Sequence, residues 1–200
     1  MCADMIRTDD STFGKTQYIL NPGDHFATNE DCVLATIAGS CVVVCLFDLA
    51  RGIGGMGHFI VPGAIDTKGI YADDIAQHGI LNLEYLIGEL VKLGGDRKYL
   101  RAKMFGAGYI ADSNAVRNDI IDSNIRFMYE YFTIEKIAVE RSDLGGEFRR
   151  KLYFFPKTGY VYRKVLKHNE NESEFIKLEK EYIARAFRNG KQHGRVLLFD

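Results

Sequence analysis

Two side chains in the first third of the chain have the types and setting for covalent chemistry: Cys41, directly after Gly39-Ser40, and His58. A free thiol is only a few per cent thiolate at neutral pH, so a nucleophilic cysteine needs a base at its side. The chain offers five histidines, and local geometry chooses among them. Residues 42–47 are an unbroken apolar run, residues 54–62 a second extended stretch, and residues 48–52 a turn between them. In such a hairpin, positions whose numbers sum to about 100 face each other, which makes Cys41 and His58 cross-strand neighbours with Cα atoms roughly 4.5–5.5 Å apart. Cys45 would then face Gly54-Gly55, where there is no base. Gly39-Ser40 lets the backbone bend, so that amide N–H groups around the turn, including that of Cys41, converge on one point and stabilise an oxyanion. The glycines around His58 are expected to keep its strand low, giving a substrate side chain access to the sulfur.

Spacing alone leaves a plainer reading open. Buried cysteine is common, and Gly-Ser-Cys before a strand can be only a turn. Cys2, Cys32 and Cys45 are read as structural or incidental. Cys41, Cys45 and His58 have no fourth ligand at metal-binding spacing. The glycines at 52, 54, 55 and 57, and the loop at Gly106, lack the strand–loop–helix setting of a phosphate loop.

The elements that must position this pair are mostly strands. Short extended segments are expected at residues 17–20, 32–37, 42–47, 54–62, 100–105, 134–140, 151–155 and 160–165, with a terminal one at 196–199. Asn21-Pro22-Gly23-Asp24 reads as a turn. Apolar residues at helical spacing predict one helix within residues 74–93, capped by Asp73 or Asp74 and stopped by Gly94-Gly95. A second is expected over residues 115–132, and Ser173 opens a third. Strands and helices do not alternate regularly, so the fold class is α+β with mixed or antiparallel sheets, in one domain over residues 1–200. Residues 168–200 read as a C-terminal helical extension, free to cover a sheet edge or bind a partner.

Composition excludes several classes. With 26 basic and 27 acidic residues and a formal net charge of −1, no general attraction to nucleic acid is expected. The Arg149-Arg150-Lys151 cluster reads as a solvated strand end or turn. No apolar run approaches the ~18 residues of a membrane span, and the first fifteen residues carry no export signal, so a cytoplasmic protein without disulfides is expected.

Several segments together resemble the CheD family of chemoreceptor glutamine deamidases. They are Gly39-Ser40-Cys41-Val42-Val43-Val44-Cys45-Leu46-Phe47-Asp48, then Gly54-Gly55-Met56-Gly57-His58-Phe59-Ile60-Val61-Pro62, with Asn21-Pro22-Gly23, Tyr71, Ala102-Lys103-Met104-Phe105-Gly106, Arg117-Asn118, Gly145-Gly146, Arg150-Lys151 and Thr158-Gly159. The resemblance implies a layered α/β/β fold and conversion of receptor glutamines to glutamates, sometimes with hydrolysis of receptor methyl esters. It implies Cys41 as nucleophile and His58 as base, and no metal or organic cofactor. The family's third site residue is a threonine six positions before the cysteine. Here that position is Ala35, with Thr36 next, and a one-residue shift along a strand is expected to turn the side chain to the other face. Thr36 is thus the candidate third site residue if the backbone bends before Gly39, and otherwise another polar group orients His58. Methyl-accepting chemotaxis proteins are the implied substrate. A CheC-type phosphatase is an implied partner at the loop Gly106-Ala107-Gly108-Tyr109-Ile110-Ala111, whose sequence departs from the family pattern. The rival reading is a non-catalytic module that keeps the fold and docks on receptors or on a signalling phosphatase.

Overall fold

Every side chain of the strand Val42–Asp48 is buried, and the alternation of a strand sends successive ones to opposite faces. Val42, Val44 and Leu46 join one apolar cluster; Val43, Cys45 and Phe47 join another. One strand thus divides two cores, and three layers follow. The computed structural model describes residues 6–60, 77–110, 116, 118–166 and 173–189. The expected cap at Asp73 or Asp74 and the strand at 196–199 lie outside them, as does Cys2.

In chain order the strands are β1 (Ile6–Asp10), β2 (Lys15–Ile19), β3 (His25–Thr28), β4 (Val33–Ala38), β5 (Val42–Asp48) and β6 (Ile53–Phe59). After helix α1 (Gln77–Lys92) come β7 (Arg101–Gly106), helix α2 (Asn118–Ile134), β8 (Ala138–Leu144), β9 (Arg149–Phe155), β10 (Tyr160–Leu166) and helix α3 (Ser173–Asn189). One sheet has the order β1-β2-β4-β9-β10, the other β3-β6-β5-β7-β8. Each contains one parallel pair, β2 with β4 and β7 with β8, so both are mixed. The helices α1 and α2 cover the outer face of the second sheet through Leu83, Leu86, Leu90, Phe127, Met128 and Phe132. Between the sheets lie Leu34, Ala38, Val43, Cys45, Phe47, Met56, Phe105, Leu152 and Phe154. The result is α+β in an α/β/β layering, as the sequence led us to expect.

Several expectations need correction. The segment 134–140 is not a strand throughout. Helix α2 runs to Ile134 and ends where Lys136 takes φ 55°, with the amide of Ile137 bonded to the carbonyl of Phe132 and that of Lys136 to Thr133. This is a Schellman stop built without glycine, closed by the apolar pair Phe132 and Ile137, and β8 begins only after it. The strands β1 and β3 were not expected. β1 is almost wholly exposed and has no apolar alternation to read, and β3 has only four residues.

The basic cluster is not a solvated strand end either. Arg150 is 1% exposed. Its guanidinium donates to Asp143 Oδ1 at 2.9 Å, to the Gly145 carbonyl at 2.7 Å and to the Phe148 carbonyl at 3.1 Å. Burial alone would raise the Asp143 carboxyl, but hydrogen bonds and charge from Arg150 and Arg163 outweigh it and hold its pKa below the usual value.

The hairpin register differs from the expected one, by two positions for the partner of His58. Asp48 pairs with Ile53, which leaves residues 49–52 as the loop, with Gly52 at φ 62°. His58 therefore faces Val43 and not Cys41. The hairpin glycines also serve another purpose than expected. A Cβ at Gly57 would lie 2.6 Å from Asn82 Oδ1, and one at Gly55 would lie 2.6 Å from Leu86 Cδ1. They let α1 lie close on the sheet, on the side away from His58.

Candidate active site

Strand parity decides which side chains meet. Opposite Val43, His58 shares the inter-sheet face with Val43 and Met56. In β4, Leu34 and Ala38 also enter the inter-sheet layer, so Thr36 between them faces the same way. The shift from Ala35 to Thr36 therefore turns the hydroxyl toward His58, with no backbone bend needed. The Thr36 hydroxyl donates to the Leu20 carbonyl at 2.8 Å, and its oxygen stands 2.9 Å from His58 Nδ1. A threonine has one hydroxyl hydrogen, and here it goes to Leu20. The Thr36 oxygen must then accept from Nδ1–H, which assigns the His58 tautomer and leaves Nε2 with its lone pair. That Nε2 is buried and, among the described residues, without a hydrogen-bond partner. The ring is held from behind by its own backbone: His58 N–H donates to the Asp24 carbonyl at 2.9 Å, and its carbonyl accepts from Gly23 N–H at 2.7 Å.

Cys41 lies at the bend directly before β5, two positions before Val43, the residue opposite His58. It is fully buried, in a small cluster with Ile60 and Ile183, against Val116, Tyr182 and Ala186. Its backbone is fixed on the carbonyl side by Ala107 N–H at 2.8 Å, while Gly108 N–H holds the Gly39 carbonyl at 2.8 Å. Gly106, at φ 96°, makes that approach, and a Cβ there would strike the Cys41 carbonyl.

The expected oxyanion position is filled by a residue that no local pattern announces. Glu179 of α3 places Oε1 at 3.2 Å from the amide of Cys41 and 3.4 Å from the Ser40 hydroxyl, and both donate to it. A Cβ at Gly39 would lie 2.6 Å from Glu179 Oε2, so the absence of a side chain there makes room for the carboxylate. Phe175 of the same helix stacks on the His58 ring, with centroids 6.1 Å apart and planes at 16°. The ring of Tyr182 lies over Gly23.

Burial sets the electrostatics first. It raises the Cys41 thiol well above its ordinary value, and the charge and hydrogen bond of Glu179 raise it further. It lowers His58 to about 3. Thiol and imidazole are therefore both neutral in this arrangement, and no hydrogen bond joins Nε2 to the sulfur. Cys45 lies between the sheets, paired with Met56, with a thiol raised by burial, and Cys32 is raised to about 11 mainly by burial.

Residues 62–165, just over half of the chain, match the family model described as CheD chemotactic sensory transduction. The chain belongs to the CheD family. The matched segment starts after His58, but full-length relatives extend the likeness across the site. The "Probable chemoreceptor glutamine deamidase CheD 1" of Shewanella oneidensis is 38% identical over 95% of this chain and 91% of that protein. The "Probable chemoreceptor glutamine deamidase CheD" of Methylobacillus flagellatus is 38% identical over 95% of this chain and 93% of its own length. That of Paraburkholderia xenovorans is also 38% identical, over 95% and 77% respectively. Among solved structures, the Bacillus licheniformis hypothetical protein YfiH superposes with a TM-score of 0.41 at 15% identity, over 70% of this CheD chain and 60% of that one. No helix among the described residues is long and apolar enough to cross a membrane.

Proposed function

We propose that this chain is a cysteine amidohydrolase that converts glutamine side chains of chemoreceptors to glutamate. Family membership and the names of its relatives support the substrate. One observation carries the chemistry: Thr36 keeps the hydrogen of His58 on Nδ1, so a buried Nε2, unpartnered among the described residues, is left as acceptor on the strand paired with the one that begins directly after Cys41. His58 Nε2 takes the thiol proton, and the Cys41 sulfur attacks the carboxamide carbon. The amide of Cys41 and the hydroxyl of Ser40 donate to the developing oxyanion. The C–N bond breaks and ammonia leaves with the proton from His58. Water, deprotonated by His58, then opens the thioester to glutamate and restores the thiol.

The same steps cleave a receptor methyl ester, with methanol as the leaving group. A CheC-type phosphatase fits the reading as a partner at the loop after β7. There the amides of Ala107 and Gly108 hold the Cys41 and Gly39 carbonyls, so contact at this loop reaches the nucleophile's turn. Acting on the signalling helices of receptors, the enzyme would work in the cytoplasm.

The test is mass spectrometry of a receptor signalling fragment incubated with the protein. Specific glutamines should gain about 1 Da, and Cys41→Ala should abolish the gain while leaving the fold intact. Receptor binding without any mass change would establish the non-catalytic docking module instead.

A further inference from the structure

Helix α3 brings one continuous face to the site. Phe175, Glu179, Tyr182, Ile183 and Ala186 point inward, while Lys177, Lys180, Glu181, Ala184 and Arg185 are exposed. At the centre of the inward face is a carboxylate, the group that glutamine becomes on deamidation. It rests on the two donors that would hold an oxyanion, and its charge opposes ionisation of the sulfur that would attack. A buried carboxylate is costly unless its oxygens are hydrogen-bonded, and Glu179, 3% exposed, finds its bonds at Ser40 and Cys41. The lack of a side chain at Gly39 leaves room for it there, where an added Cβ would lie 2.6 Å from Glu179 Oε2.

We propose that α3 is an internal product mimic: docked, it lays Glu179 in the seat of the reacting side chain and closes the site, and a receptor gains access only when α3 leaves. The proposal rests on the reading of Cys41 as a deamidating nucleophile. The groove over Cys41 thus takes an amphipathic helix that carries its reactive group near mid-length, and the chain supplies such a helix itself. Closure is chemical as well as steric, because the Glu179 charge opposes ionisation of the thiol beneath it.

The experiment puts a substrate in that seat. In full-length Glu179→Gln, nearly isosteric with the natural protein, the Cys41 sulfur bonds to the carboxamide carbon of the introduced side chain and ammonia departs. Water then breaks the thioester, returning a glutamate and a free thiol. The peptide spanning position 179 should gain about 1 Da on incubation, and the Cys41→Ala, Glu179→Gln double variant should keep its mass. A second arm alkylates native protein with iodoacetamide. Ile183→Ala should raise labelling of Cys41 by about tenfold while leaving Cys45 unchanged. An introduced carboxamide that stays intact in a protein able to deamidate a receptor fragment overturns the proposal and leaves the enzyme standing. Failure with both the receptor and the introduced carboxamide overturns the two together. Unchanged Cys41 labelling, or a rise shared equally by Cys45, also overturns the closure.

Discussion

Thr36 stands 2.9 Å from His58 Nδ1 and gives its only hydroxyl hydrogen to Leu20, so a side chain from one sheet dictates the tautomer of an imidazole on the other. Thr36→Val should remove the acceptor while keeping the volume. We expect kcat for receptor deamidation to fall by about tenfold to 100-fold, part of what a positioned base supplies, with KM little changed. Thr36→Ser should restore most of it. A loss confined to KM would remove Thr36 from the role of orienting the base.

His58 gives a pH signature. Burial lowers its pKa to about 3, whereas the unfolded chain titrates near 6.5. Between those values the unfolded state binds the extra proton, so this stability is fully present above about pH 6.5 and is lost as pH falls toward 3. The slope from this one group approaches about 1.4 kcal/mol per pH unit within that window. Urea midpoints measured from pH 7 to 4 should fall more steeply in the natural protein than in His58→Gln; parallel curves would contradict the buried neutral imidazole.

Two glycine-to-alanine changes should act in opposite directions. At Gly106, positive φ and the Cys41 carbonyl both oppose a side chain, and a loss of about 3 kcal/mol is expected, with activity. At Gly88, inside α1, no atom of the described residues beyond the helix's own nearby backbone lies within 4 Å of an added Cβ, and alanine should stabilise by about 0.5–1 kcal/mol. Thermal melts of the pair check both signs.

Arg150→Ala should cost about 3 kcal/mol, because it strips the Asp143 carboxylate and two loop carbonyls of their shared donor. Lysine should recover little, as a single ammonium cannot span three acceptors in that fork. Chemical denaturation of the two variants tests this, and full rescue by lysine would count against the geometry.

The hairpin that carries His58 was legible because an apolar run, a turn and a second extended run follow each other without interruption. Its register was not, since two residues more or less in the loop decide whether His58 faces Cys41 or Val43. Thr36 illustrates the same limit from the other side. Which face of β4 it occupies depends on pairing with β2 and β9, far away in sequence. Arg150 read as solvated because its carboxylate and carbonyl partners are brought round by the β8–β9 turn, whose course no charge pattern reveals. Glu179 could not be found at all. It meets Cys41 across 138 positions, and in sequence it is one more charge on an amphipathic helix.

The division of the site between two sheets has a practical consequence. Thr36 belongs to one leaf of the sandwich and His58 to the other, and the apolar seam between them holds both in place. Catalytic competence then reports on the seam, not on the strands. Conditions that let the leaves part slightly, such as mild acid or low denaturant, should silence the enzyme while its far-ultraviolet signal is still native, so turnover becomes the more sensitive gauge of the closed sandwich.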